Sequence, residues 1–170
     1  SYGAGPGYPY GDGSLGTQGA KSIAIGNSAG KQFQKANCVA VGSSAGGESQ
    51  GNAAVAIGAG AGLQSQGANA VSIGSYVNQT SPYFRGQTNQ GNMAISIGLY
   101  AGATSQGDHA IAIGALAGQE NQHNDSIAIN ASGETLYANL SGLYISPVRM
   151  DNSNVANVVA TATPTLWTYN

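Results

Sequence analysis

Large aliphatic residues alternate with small residues in short segments that recur along most of the chain. The first segment reads SIAIG at 22–26, and the pattern returns as CVAVG, AVAIG, AVSIG, AISIG, AIAIG and SIAIN at 38–42, 54–58, 70–74, 94–98, 110–114 and 126–130. The segments keep a 16-residue spacing, which widens once to a 24-residue spacing between the fourth and fifth segments. Alternation with a period of two and β-branched side chains is typical of a β-strand. The pattern therefore predicts seven short strands in equivalent positions of seven repeated units.

Two glycine-containing elements recur at the same spacing as these strands. Ala-Gly recurs at 29–30, 45–46, 61–62, 101–102 and 117–118, and Gln-Gly recurs at 50–51, 66–67, 90–91 and 106–107. Glycine permits the backbone conformations of tight turns. A strand, a turn, a shorter second strand and a second turn account for one 16-residue unit, so each unit is predicted to form one coil of an all-β parallel solenoid. Coils about 4.8 Å apart would give a rod section roughly 30 Å long.

The two large side chains of each strand are predicted to point to the same face and to stack into a core ladder. The members of this ladder are Ile23, Ile25, Val39, Val41, Val55, Ile57, Val71, Ile73, Ile95, Ile97, Ile111, Ile113, Ile127 and Ile129. One coil of this size encloses little apolar volume, and small folds with too little core need staples or oligomerisation. We therefore expect the chain to oligomerise, with the ladders meeting at a shared axis.

Composition excludes several classes of function. Five Lys and Arg residues among 170 are too few for a nucleic-acid-binding track. No apolar run approaches the roughly 20 residues that span a bilayer, so we expect no membrane insertion. Only 7% of residues are charged, and solubility must come from Asn, Gln, Ser and Thr, which suits an extracellular surface. The single cysteine, Cys38, stands where other repeats have Ser or Ala, which predicts a small buried side chain rather than a disulfide or a reactive thiol.

The chain divides into three predicted regions. Residues 1–20 are rich in Gly, Pro and Tyr and are expected to form a connector or cap, and residues 21–133 form the repeat domain, with an insertion at 75–92. Residues 134–170 leave the repeat and are predicted to form a β segment that closes the solenoid and joins subunits. The chain has neither an N-terminal Met nor a signal-peptide pattern, which suggests a fragment or a processed product.

Candidate chemistry is sparse. The aromatic and basic residues in and after the insertion form a candidate recognition patch for a host-surface glycan or protein, consisting of Tyr76, Tyr83, Phe84, Arg85 and Tyr100. Alternatively, these aromatics pack on the rod or on a neighbouring subunit. His109 and Asp125 are separated by one 16-residue repeat, which predicts a contact between adjacent coils. We expect no catalytic residues, no cofactor and no metal, because neither a nucleophile with a supporting base nor a metal-ligand spacing is evident.

The repeats resemble those of a known family. The segments at 22–26 and 110–118 (AIAIGALAG) are similar to the head repeats of trimeric autotransporter adhesins of the YadA type, and the resemblance extends over residues 22–133. It implies a left-handed parallel β-roll and an intertwined homotrimer.

The tail resembles a different group. The segment SGLYISPVR at 141–149 and the stretch to residue 170 are similar to the C-terminal region of viral and phage fibre proteins. This implies a non-enzymatic structural segment of a virion-surface or tail fibre that mediates or presents host attachment. The alternative is the head of a bacterial surface adhesin. A glycan-cleaving tailspike would require paired carboxylates facing a groove between subunits.

Overall fold

The computed structural model describes residues 18–74 and 88–148. The strands in these ranges are β1 Ile23–Ile25, β2 Val39–Val41, β3 Val55–Ile57, β4 Gln64–Gln66, β5 Val71–Ile73, β6 Thr88–Gln90, β7 Ile95–Ile97, β8 Thr104–Gln106, β9 Ile111–Ile113, β10 Ser126–Asn130 and β11 Gly142–Ser146. The same ranges contain no helix, and hence none long and apolar enough to cross a membrane.

The strands form two parallel sheets made of successive coils. The larger sheet has the order β1-β2-β3-β5-β7-β9-β10-β11, and the smaller has the order β4-β6-β8. Val39 pairs with Ile23 on one side and with Val55 on the other, so neighbouring rungs are separated by one 16-residue repeat. The eight strands of the larger sheet span roughly 34 Å at the usual interstrand spacing. The predicted all-β solenoid of about seven 16-residue coils is confirmed.

The 24-residue interval does not disturb this register. Val71 of β5 pairs directly with Ile95 of β7, and Ile73 pairs with Ile97. The longer interval therefore leaves the ladder continuous, because the strands on either side of it still pair residue for residue. Residues 75–87 of the predicted insertion lie outside the described residues.

The interior of the single chain is lined by the small residues of the alternating strands. Ala40, Ala56 and Ala112 have no exposed surface, whereas Ile25 is 61% exposed. Successive side chains of a strand point to opposite faces, so the aliphatic residues lie outside when the small residues between them point inward. The ladder residues stack as predicted, but within one chain they form the outer face of the larger sheet. Their contact at a shared axis concerns neighbouring chains and stays a prediction.

A column of buried glutamines fills the remaining interior. Gln50 is fully buried, and its Nε2 donates hydrogen bonds to the carbonyl oxygens of Val39 at 2.9 Å and Ala54 at 3.1 Å. Its Oε1 accepts a hydrogen bond of 3.0 Å from Gln34 Nε2 one coil earlier. Equivalent bonds to a strand carbonyl are made by Gln34, Gln66, Gln90, Gln106 and Gln122. The Gln-Gly element, which was predicted only to form a turn, thus also supplies a buried side chain to the interior.

The Ala-Gly element makes room for the glutamine four residues later. Gly46 has a φ of 53°, and a Cβ built on it would lie 2.7 Å from Gln50 Oε1. The same crowding recurs at Gly62, where a Cβ would lie 2.7 Å from Gln66 Oε1. A side chain in place of this glycine would occupy the space of the glutamine amide. The Ala-Gly and Gln-Gly elements of the repeat therefore pack against each other.

The solenoid continues beyond the last sequence repeat. Strand β11 pairs with β10, and Leu143 and Ile145 stack on Ile127 and Ile129 as a further rung. Ala138 has no exposed surface and belongs to the same interior. The first residues of the predicted C-terminal segment thus form an additional coil that closes the described rod. Residues 149–170, like residues 1–17, lie outside the described residues.

Cys38 is a buried small side chain, as predicted. It has no exposed surface, and its Sγ lies 2.9 Å from the carbonyl oxygen of Gly51. One coil earlier, Ser22 Oγ makes the corresponding hydrogen bond of 2.8 Å to the carbonyl oxygen of Lys35. The thiol therefore occupies a structural position that a hydroxyl fills in the preceding coil.

Candidate functional site

The outer face of the larger sheet is the main apolar surface of the described rod. We call it the ladder face. Its first row is Ile23, Val39, Val55, Val71, Ile95, Ile111, Ile127 and Leu143, and its second row is Ile25, Val41, Ile57, Ile73, Ile97, Ile113, Ile129 and Ile145. Neither row contains a polar residue.

The ladder face is open to solvent along its whole length. Ile25, Ile73 and Ile145 of the second row, near the two ends and the middle of the sheet, are 61%, 37% and 47% exposed. Soluble monomers rarely leave a contiguous apolar patch larger than a few hundred Å² exposed. An unbroken double row of aliphatic side chains over eight rungs is therefore a candidate protein–protein interface.

The smaller sheet presents a different, polar surface. Its outward positions are occupied by Gln32, Glu48, Gln64, Thr104 and Glu120. Gln64 Nε2 donates a hydrogen bond of 3.5 Å to Glu48 Oε1 across the coil boundary. The described rod thus has an apolar side and a polar side.

The predicted recognition patch lies mostly outside the described part of the chain. Tyr76, Tyr83, Phe84 and Arg85 fall within residues 75–87, so their proximity to Tyr100 stays a prediction. Tyr100 itself is half-buried in the turn after β7 and has a φ of 58°.

A second aromatic–basic group, which was not predicted, lies on the first coil. Lys31, Phe33 and Lys35 are all exposed, and Phe33 is 64% exposed. The signal was available, because the three residues occupy alternate positions of one short segment. We call these three residues the basic–aromatic patch.

Polar side chains on one corner of the last coils hold adjacent turns together. Asp108 Oδ1 accepts a hydrogen bond of 2.7 Å from the Asn92 backbone N–H, and Asn124 Oδ1 accepts one of 3.0 Å from that of Asp108. These residues border an open groove of about 510 Å³. Their carbonyl and carboxylate oxygens are engaged with backbone donors of the preceding coil, which gives them a structural role.

The contact predicted between His109 and Asp125 is confirmed. His109 Nδ1 lies 3.3 Å from Asp125 Oδ1, and both side chains are more than half exposed. A contact of this kind between exposed groups contributes little to stability. Across residues 18–74 and 88–148, no three His, Cys, Asp or Glu side chains converge in a way that could hold a metal ion.

No protein-family model, curated protein or solved structure matches this chain. The function must therefore be inferred from the geometry of the rod and its surfaces.

Proposed function

We propose that this chain is a structural subunit of a trimeric surface fibre that presents or performs attachment to a host surface. The observation that carries the proposal is the ladder face, an apolar surface that runs the length of the described rod. Burying one such aliphatic side chain contributes about 1.5–3 kcal/mol when it is fully covered. Covering a double row of them would supply the core that a single chain lacks.

Copies of the same chain are the partner that fits this face best. Its rungs repeat at a constant spacing, so an identical ladder placed in parallel matches it rung for rung. Closed rotational symmetry then brings the same residue of each chain to a common axis. The resemblance to the adhesin heads of the YadA type implies that three chains assemble, that they intertwine and that each solenoid is left-handed.

The setting we propose is extracellular and non-enzymatic. The rod has few charges, a hydrated outer sheet and an interior of alanine and glutamine, which suits a passive spacer in a fibre. The resemblance of 141–149 to viral and phage fibre proteins favours a virion-surface or tail fibre. A bacterial adhesin head is the alternative, which the resemblance of 22–133 to adhesin repeats favours. In the complete gene, a following chaperone-like domain would indicate the virus, whereas heptad repeats and a membrane anchor would indicate the bacterium.

Disulfide trapping tests the assembly on which this function depends. Ile113→Cys places a thiol on the ladder face, where a parallel trimer brings like residues together at the axis. We expect oxidation to produce covalent dimers, visible on a non-reducing denaturing gel, because two of three thiols can pair. Cys38 is buried within the chain and will not interfere.

Glu120→Cys provides the matched control, because Glu120 is exposed on the smaller sheet seven residues further along the chain. We expect this variant to remain monomeric on the same gel at equal protein concentration. Equal cross-linking of the two variants, or cross-linking of Glu120→Cys alone, would contradict burial of the ladder face.

A further inference from the structure

Phe33 departs from the pattern of its own position in the coil. The equivalent residues of the next five coils are Ser49, Ser65, Asn89, Ser105 and Asn121, and that of the last described coil is Tyr137. Phe33 has a φ of 45°, in the left-handed region. Asn is enriched in that region, whereas a bulky residue there is uncommon. The five coils that follow therefore carry a short polar side chain at this corner, and Phe33 is the bulky residue held there at a positive φ.

Packing against residues 18–74 and 88–148 does not account for this side chain. Phe33 is 64% exposed, so most of its ring gains nothing from burial. The left-handed conformation is unfavourable for a residue with a bulky side chain. Strained residues that bring no compensating contact concentrate at functional sites. The ring is therefore better explained by something that it contacts outside the described chain.

The electrostatic surroundings of Phe33 indicate the charge of that partner. Lys31 and Lys35 flank it, and Lys21 is exposed in the preceding turn. None of these lysines forms an ion pair with a carboxylate of residues 18–74 or 88–148. Most carboxylates in these ranges lie at the opposite end of the rod, at Asp108, Glu120, Asp125 and Glu134. Glu48, on the next coil, is the one carboxylate of the described residues near this group, against the three lysines at 21, 31 and 35. The excess of lysines gives a local positive field around an exposed aromatic ring, which attracts anions.

We propose that the basic–aromatic patch binds an anionic polysaccharide. A sugar ring would lie against Phe33, and its carboxylate or sulfate groups would meet the Lys31 and Lys35 ammonium groups. The inference deepens the proposed function and rests on it, because a trimer would display three patches at the same height on the rod. A polymer with regularly spaced charges can engage several patches at once and gains avidity. A flat membrane cannot meet three patches that face three directions around an axis.

Binding of the full chain, in its assembled form, to immobilised polysaccharides tests the proposal. We expect binding to dextran sulfate, to hyaluronate or to both, and none to unmodified dextran. Phe33→Asn should lower the affinity about tenfold, which corresponds to the loss of one aromatic contact. Lys31→Gln combined with Lys35→Gln should weaken binding further and reduce its dependence on salt, because fewer charges are paired with the polymer.

Matched variants separate recognition from folding. Asn suits the left-handed conformation, so Phe33→Asn should leave the melting temperature and the oligomer mass unchanged or raise the melting temperature. Met93→Asn is the control, since Met93 is also exposed at a positive φ of 55° but has no lysine beside it. It should bind dextran sulfate as tightly as the unmodified chain.

Three results would overturn the proposal. The first is undiminished binding by Phe33→Asn, the second is an equal loss for Met93→Asn, and the third is binding to phosphatidylserine vesicles or acidic proteins with none to the charged polysaccharides. A solution mass equal to that of one chain would refute the trimer. Even then, the ratio of the affinities of Phe33→Asn and Met93→Asn for the polymer would decide whether the patch binds it.

Discussion

Ile73→Lys is expected to abolish association of the chain while leaving its coil intact. Ile73 lies near the middle of the ladder face, between Ile57 and Ile97 in the second row. At a shared axis the substitution would bring like charges together in an apolar contact, and each buried unpaired charge costs several kcal/mol. Sedimentation velocity should show loss of the three-chain species, and far-ultraviolet circular dichroism should retain the β spectrum.

Gln64→Lys is the matched control for Ile73→Lys. Gln64 belongs to the same part of the rod but faces outward from the smaller sheet, next to Glu48. The added charge is the same, and we expect the assembled species to persist with unchanged thermal stability. An assembled Ile73→Lys protein as stable as this control would show that the ladder face is not the contact between chains.

Gln66→Leu is expected to destabilise the coil itself, by about 2–4 kcal/mol in the free energy of unfolding. Gln66 is 3% exposed, and its Nε2 donates hydrogen bonds of 2.8 Å to the Val55 carbonyl and 3.3 Å to the Ala70 carbonyl. Leucine would lose both bonds. Its branched end would also crowd Gly62, where only a flat amide fits. Urea denaturation of the full chain measures the change.

The control lies two residues away on the same strand. Ser65 has a φ of 44°, which interrupts the alternation of β4 and leaves Gln64 on the polar surface while Gln66 is buried. Gln64→Leu should change the unfolding free energy by about 0.5 kcal/mol or less, as is usual for surface substitutions. Equal effects of the two substitutions would mean that the buried amide column does not stabilise the rod.

The stacking of the coils was predictable from the sequence because periodicity fixes register. The repeat placed Val39 beside Ile23, and the structure pairs them. The longer fourth interval was also predictable as an interruption, since the pattern resumed unchanged at Ile95. A one-residue shift in register would move the inward side chains of a strand to the outer face and the outward side chains to the interior. The register of each strand is therefore strongly specified.

The choice of interior face was harder to predict than the stacking. Large aliphatic residues usually form the core, so Ile25 and its equivalents were assigned to it. Alternation alone does not say which face is inside. Here the strand alanines Ala40 and Ala56 pack against Ala45 and Ala61 of the Ala-Gly elements. The inward glutamines went unnoticed because Gln is mostly exposed in proteins. The glycine four residues before each Gln, as in Gly62 and Gln66, was the available clue.

The extra rung after the last repeat could also be predicted from the sequence. Leu143 and Ile145 follow Ile127 and Ile129 by the same 16-residue step, but Tyr144 replaces the small residue between them. In the described rod Tyr144 lies on the terminal strand, where no further coil of residues 18–74 or 88–148 packs against it. A larger side chain fits there, so the motif changes although the coil continues.

The mass of the unmodified chain in dilute solution tests the central claim most directly. If the ladder face is buried between three copies, sedimentation equilibrium will give three times the 16.9 kDa of one chain, without dissociation at low micromolar concentration. A monodisperse species with the mass of a single chain would contradict the account, because the aliphatic rows would then remain in water.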